Sequence, residues 1–187
     1  MFVRTQRLLL RPGWPEDAPA LLEAIADERV VRNLAQAPWP YRPEHAEAFL
    51  ARRRDPLDVF CLIFVRTPLE PVLAGGIGLA RLPEGEHEFG YWLGRRHWGK
   101  GIATEAGRGL LAAARNSLRL RRVVSGHFLD NPASGRVLAK LRFRPTGEIV
   151  QRYSAGRGEE VPCRLFERDL ADEEEPATAN TACAMAA

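Results

Sequence analysis

Arg96-His97-Trp98-Gly99-Lys100-Gly101-Ile102-Ala103-Thr104 places two glycines and a lysine between a strand-like run and a helix-like run. A glycine-bearing turn of this kind lets the backbone approach a ligand and aims several N–H groups one way, where a helix N-terminus adds partial positive charge. The chemistry favoured there is phosphate binding. Three phosphate turns compete for the residues. Read from Gly94, the string G-R-R-H-W-G-K-G nearly fits the nucleoside-triphosphatase loop, but Gly101 stands where that loop needs Ser or Thr for magnesium. The dinucleotide fingerprint would put its third glycine at Thr104. Only (Gln/Arg)-x-x-G-x-(G/A), read from Arg96, is satisfied at every specified position. An ordinary strand-to-helix turn with two chance glycines is the competing reading.

The elements that must position this turn follow from pattern. Glu88-Phe89-Gly90-Tyr91-Trp92-Leu93 reads as a short buried strand before it, and Ala103, Ala106, Leu110, Ala113, Ala114 and Ser117 recur at helical spacing after it. Upstream, Thr5 to Arg11 is a strand candidate ending at Pro12-Gly13. Asp17 is placed to cap a helix running to about Asp27, and a second helix should begin near Pro43 or Glu44. Val59 to Val65 and Val72 to Leu79 read as an antiparallel hairpin around a proline-bearing turn. Downstream, Arg121 to Phe128 is a strand, so strand, helix and strand make a parallel crossover unit. Asn131 with Pro132 opens a short helix carrying Val137, Leu138 and Leu141, and Ile149 to Tyr153 and Val161 to Glu167 close the chain as strands.

Composition narrows the class. A chain of 187 residues with a 45% hydrophobic share suits one α/β domain, expected over 1–170. Residues 171–187 turn acidic, with Asp172, Glu173, Glu174 and Glu175, then Ala/Thr-rich, and are expected to be disordered. Cys61, Cys163 and Cys183 are too few and too scattered for a disulfide framework or a zinc site, which fits a reducing cytoplasm. No run approaches a signal peptide or a membrane span. The net charge is +3, and the body without its acidic tail is more basic still. The arginines are dispersed, with Arg52-Arg53-Arg54 the only triple and no aromatics interleaved, so no nucleic-acid partner is expected.

The order β-α-α-β-β-β-α-β-α-β-β, with the phosphate turn after the fourth strand, resembles the GNAT acetyltransferases. More narrowly it is similar to the branch of ribosomal-protein N-terminal acetyltransferases. The pieces that carry the likeness are Thr5-Gln6-Arg7-Leu8, Pro40-Tyr41, Glu88 to Leu93, the turn itself, Asn131-Pro132-Ala133-Ser134 and Lys140-Leu141-x-Phe143-Arg144-Pro145-Thr146-Gly147. The resemblance implies a mixed sheet of six to seven strands that splays after the fourth, flanked by about four helices. It implies acetyl-CoA as donor, a primary amine as acceptor (a protein N-terminus or a small amine), direct transfer and no metal. A homodimer is compatible with it.

The resemblance also assigns residues. The pyrophosphate falls on Gly99, Lys100, Gly101, Ile102, Ala103 and Thr104, with Arg96 opening the motif. The pantetheine arm falls along Trp92, Leu93 and Gly94, and the Leu93 amide would polarise the thioester carbonyl, a sensible place for a preorganised donor. An ammonium must lose a proton before it can attack, and Glu88 fits both that need and the family position. His87 and His127 are rival bases. The tyrosine that many family members use to protonate the thiolate falls at Leu138, so that role is vacant. Ser134 is the substitute, with Asn131 holding the pantetheine. Each has a plain alternative, Asn131 as N-cap and Ser134 as a polar residue of the first turn. Arg142 stands where the family has a glycine closing this helix, so the helix is expected to end differently. The alternative to an enzyme is an acetyl-CoA-binding regulator that kept the turn and lost catalysis.

Overall fold

Val59–Val65 is apolar without interruption, which makes sense only for a strand covered on both faces, and it lies inside an eight-stranded sheet. The computed structural model describes residues 1–52, 55 and 57–171, so the expectation for the tail lies outside the described residues apart from Ala171. Among the described residues the strands are β1 (Val3–Arg4), β2 (Leu8–Arg11), β3 (Val59–Val65), β4 (Val72–Arg81), β5 (His87–Leu93), β6 (Arg122–Phe128), β7 (Arg144–Ser154) and β8 (Glu159–Asp169). The helices are α1 (Ala18–Ile25), α2 (Glu28–Val31), α3 (Pro43–Ala51), α4 (Ile102–Leu118) and α5 (Pro132–Lys140). The sheet order is β1-β2-β3-β4-β5-β6-β8-β7, antiparallel throughout except between β5 and β6. α4 is the crossover joining those two parallel strands.

One face of the sheet carries α4 and α5. Leu110, Leu111, Ala106 and Ala114 of α4 are buried there with Leu8, Leu10, Ile63, Ile77, Leu79 and Phe89. Full burial of a leucine is worth about 1.5–3 kcal/mol, so this face dominates the core. The small residues bring α4 close to α5: a Cβ on Gly107 would meet Leu141 Cδ1 at 2.5 Å. The other face is covered by α1 to α3, with Leu21, Ile25, Val30, Val31 and Tyr41 on Leu62, Phe64 and Leu73.

The differences from expectation are short elements and caps. β1 has two residues and α2 four, lengths that carry no periodicity to read. Asp17 does not cap α1; its carboxylate accepts from Arg11 at 2.7 and 2.7 Å and from the Trp14 amide at 2.7 Å, while Pro15–Asp17 forms a 3-10 turn. β7 starts at Arg144, ahead of the expected strand, and reaches it through a register shift near Gly147, whose φ is 92°. Arg142 corrects a further expectation. The close of α5 keeps the left-handed geometry a glycine would favour, with Arg142 at φ 60°, at a cost of about 1–2 kcal/mol.

Candidate active site

β5 runs antiparallel to β4 over seven paired positions, from Arg81↔His87 to Gly75↔Leu93. Its parallel partner β6 follows it for only two, His87↔Val123 and Glu88↔Val124. Beyond Glu88 the strands part, and the gap opens toward the turn. Ser125 bridges its narrow end, donating its hydroxyl to Phe89 O at 2.8 Å.

Which backbone groups face the gap follows from alternation along a strand. The Gly94 amide donates to Ala74 O of β4 at 2.8 Å, whereas Phe89 O and Leu93 O accept side-chain donors on the opposite side, from Ser125 and from Trp98 Nε1 (2.8 Å). The odd residues Phe89, Tyr91 and Leu93 therefore turn N–H and C=O into the gap. Trp92 and Gly94 turn theirs toward β4. The Trp92 ring lies on the α1–α3 face against Gly76, where a Cβ would meet its Nε1 at 2.6 Å.

The turn after β5 is a 3-10 segment, Arg95–His97, followed by Gly99 at φ 72° and Gly101 at φ 75°, the latter the residue before α4. At these angles a side chain is strained, which is why both positions are glycine. Gly99, Lys100 and Gly101 are exposed, while Ile102 and Ala103 send their side chains into the core and can offer a ligand only backbone; Thr104 is half-buried. A 17-residue helix stands behind this turn, with its unpaired amides at the exposed end. Arg96 is engaged elsewhere, with Glu23 at 2.8 Å and His97 Nε2 at 3.3 Å.

A side-chain strap holds the turn to the sheet edge. Glu105 in the first turn of α4 accepts from Thr5 Oγ1 (2.6 Å), the Arg7 amide (2.8 Å) and Arg7 Nε (2.6 Å), while Arg7 Nη1 donates to Lys100 O at 3.1 Å. Burial pushes the Glu105 carboxyl up, but these donors together hold it below its ordinary range. An open groove of about 510 Å³ runs beside this strap, lined by Arg7, Arg108 and Lys140 as well as Gly101, Thr104 and Glu105.

Asn131 caps α5, accepting from the Ser134 amide at 3.3 Å. The Ser134 hydroxyl receives Tyr91 Oη at 3.0 Å, a bridge from β5 to α5 on the α4 side of the sheet. Burial raises the Tyr91 phenol despite that bond. Leu138 is fully buried in the core.

Glu88 projects to the opposite face, on the last rung before the gap. Arg152 Nη1 of β7 donates to Glu88 Oε1, and the two side chains are 35% and 25% exposed. Glu88 raises the Arg152 guanidinium against the burial that lowers it, and the net shift is upward. Cys163 of β8 lies near both, its thiol pushed up by burial, with Arg152 opposing and Glu88 adding to the rise. His87 is buried near Leu57 O at 3.3 Å, and the His127 ring packs on Phe166 with Nδ1 2.8 Å from Phe128 O. Both histidines are packed residues.

Three features of the site carry no signal in the sequence: Arg152 beside Glu88, Tyr91 beside Ser134, and the Glu105 strap. Their partners stand 64, 43 and 98 residues apart, so only the folded sheet brings them together.

A parallel strand pair that parts beside a two-glycine helix N-terminus agrees with the family model for the acetyltransferase (GNAT) domain, which matches residues 7–144. The chain belongs to the GNAT acetyltransferases. It is 27% identical over 173 residues to an uncharacterized N-acetyltransferase, p20, of Bacillus licheniformis, covering 87% of this chain and 92% of that protein. A GNAT acetyltransferase from Bacillus anthracis has the same fold, with TM-score 0.79 at 21% identity over 92% of this chain and 100% of that one. So does the ribosomal L7/L12 α-N-protein acetyltransferase RimL, solved with coenzyme A, with TM-score 0.73 at 21% identity over 90% and 98%. Among the described residues of this GNAT chain, no helix is long and apolar enough to cross a membrane.

Proposed function

We propose that this enzyme transfers an acetyl group from acetyl-CoA to a primary amine within a ternary complex. The observation that carries the reading is the parting of β5 and β6 beside the paired left-handed glycines at the start of α4. The gap suits an extended pantetheine arm, and the exposed amides after Gly99 and Gly101 suit its pyrophosphate. Arg7, Arg108 and Lys140 give the adjoining groove the charge that a further phosphate needs. Acetyl-CoA supplies an acyl group on a good leaving group, and the protein supplies the rest.

The Leu93 and Tyr91 amides, facing the gap, are the donors available to the thioester oxygen as charge builds there. Along the strand they lie about 16 and 10 Å from Glu88, so the carboxylate takes the ammonium proton directly from an amine lying between it and Tyr91, and through water from one nearer Leu93. The freed amine attacks the carbonyl carbon, the carbon–sulfur bond breaks, and the departing thiolate takes a proton from Ser134, whose hydroxyl is restored through water by the second proton that the nitrogen sheds. Tyr91 already donates to Ser134 Oγ, which leaves the serine's own proton free to point at the sulfur. Asn131 keeps two duties, cap and ligand.

Glu88→Gln tests the base. The expected result is a fall in kcat of roughly 10²- to 10⁴-fold, the range for a lost general base. The thermal shift produced by acetyl-CoA should be unchanged. Unaltered turnover would remove Glu88 from the mechanism, and absence of any acetyl-CoA shift in the parent enzyme would remove the donor.

A further inference from the structure

The acceptor side of the site has a chemical signature of its own. Among the described residues, Arg152 makes a single side-chain hydrogen bond, Nη1 to Glu88 Oε1, although a guanidinium carries five N–H donors. Glu88 accepts from Arg152 through one oxygen only, and no other described side chain bonds to it. Each partner is about two-thirds or more buried and still reaches solvent. A carboxylate oxygen and a guanidinium edge thus lie side by side at the narrow end of the gap, both with unused hydrogen-bonding capacity.

Such a pair is complementary to a molecule that presents an ammonium and a carboxylate next to each other. In a free α-amino acid the two groups flank one carbon, about 2.5 Å apart by ordinary bond lengths. Laid antiparallel on the pair, its ammonium meets Glu88 and its carboxylate meets Arg152, the bidentate partner a carboxylate prefers. The same Glu88 is the base already placed for the amine. In a protein N-terminus the α-carboxyl is an amide, which cannot use the guanidinium in this way and leaves it partly desolvated without an anion.

The surroundings favour a small acceptor as well. The β7–β8 turn is docked onto the segment after α2: the Ala155 amide donates to Ala35 O (2.8 Å), Ser154 Oγ to Leu34 O (3.2 Å) and Arg157 Nε to Arg32 O (2.7 Å). Gly156 lies so close that a Cβ would meet Val31 Cγ1 at 2.6 Å. These contacts seal the seam between the two segments flanking the Glu88 face. A closed seam on that side suits a small acceptor better than a long polypeptide laid across it.

We infer that the acceptor is a free α-amino acid, held as a zwitterion with its ammonium on Glu88 and its carboxylate on Arg152. The inference rests on the acetyl-transfer reading above.

The test is thiol release from acetyl-CoA with three acceptor sets: the common L-α-amino acids, their carboxamides, and short peptides with the same N-terminal residues. At least one free amino acid should exceed its carboxamide and peptide in kcat/KM by roughly 10- to 100-fold, the usual worth of a charge-assisted hydrogen bond. Arg152→Gln should bring that acid-to-amide ratio close to one, mainly through KM for the acid, and Arg152→Lys should restore part of it. The ratio is taken on one preparation, so partial misfolding of a variant does not move it. Carboxamides or peptides equal to or better than every free acid, or a ratio that Arg152→Gln leaves intact, would overturn the inference while a normal acetyl-CoA thermal shift keeps the transferase reading. Loss of that shift in the parent enzyme points instead to failure of the transferase reading.

Discussion

The two sides of the gap are built in different ways. On the side that we propose for the donor the groups are backbone: the Leu93 and Tyr91 edges, the amides after Gly99 and Gly101, and a helix axis behind them. On the side that we propose for the acceptor it is side chain against side chain, Glu88 with Arg152 and Asp130 with Arg157 and Arg32. A backbone site needs only the right φ and ψ, which glycine supplies locally. A side-chain site needs partners that the sheet must bring from far along the chain. The donor half can thus stay constant while the acceptor half is rebuilt for another amine.

The sharpest way to break the donor side alone is Gly101→Val. A branched side chain at φ 75° adds strain of about 1–2 kcal/mol or more. The turn should relax, and acetyl-CoA affinity should fall at least about tenfold by calorimetry, with acceptor KM little changed. Gly99→Ala should do the same more weakly, since its Cβ would meet no atom within 4 Å and the strain is conformational only. Equal loss on both sides would mean that the turn also shapes the acceptor site.

That asymmetry explains what the sequence disclosed. The turn, the flanking strand and helix, and the Asn131-Pro132 start of α5 are contiguous patterns, and the structure places all of them as read. The need for a base and the family position point to Glu88, and the structure puts it on β5 at the last paired rung with β6. The sequence did not mark Arg152 as its partner, because an arginine between Gln151 and Tyr153 in a closing strand looks like any solvated position until β7 is threaded beyond β8. Tyr91 was hidden by its aromatic strand, where burial alone accounts for it. Asp17 misled because a carboxylate before an apolar run reads as a cap, while the nearby Arg11 competes for it and wins with two hydrogen bonds.

The acceptor side breaks most selectively at Arg157, whose guanidinium makes two hydrogen bonds to Asp130, one to Arg32 O, and lies 5.1 Å from the Phe128 ring centre. Arg157→Met keeps much of the side-chain bulk and removes the bonds. Hydrogen bonds to charged groups are worth about 1.5–3 kcal/mol each, an upper figure here because Asp130 is 44% exposed and screened. The midpoint of thermal unfolding should fall by several degrees, on the order of 2–4 °C per kcal/mol at this size. Acceptor KM should rise as the β7–β8 turn loosens, and the acetyl-CoA dissociation constant should stay within about twofold, a narrow limit by the usual tenfold-per-1.4 kcal/mol scale. A matching loss of acetyl-CoA affinity would erase the distinction between the two sides.

The smallest effect sharpens the comparison, because the donor side also holds an ion pair at its turn, Glu105 with Arg7. Glu105 has its carboxyl held below the ordinary range, with the hydrogen bonds from Thr5 and Arg7 outweighing the burial that would raise it. A group depressed on folding binds its proton more readily when unfolded. Its contribution is therefore complete above the ordinary carboxylate range and is lost as pH falls through that range toward the lower folded value. Glu105→Gln should lower stability modestly at neutral pH and flatten the acid limb of the unfolding midpoint against pH. Thr5 and the Arg7 amide can still donate to the carbonyl oxygen of the substituted side chain, so the loss is the charge-assisted part. Acetyl-CoA binding should weaken slightly, because the strap also fixes Lys100 O through Arg7. A variant with the parent's acid limb would mean that the strap is ornamental and that the turn is held by its glycines and helix alone.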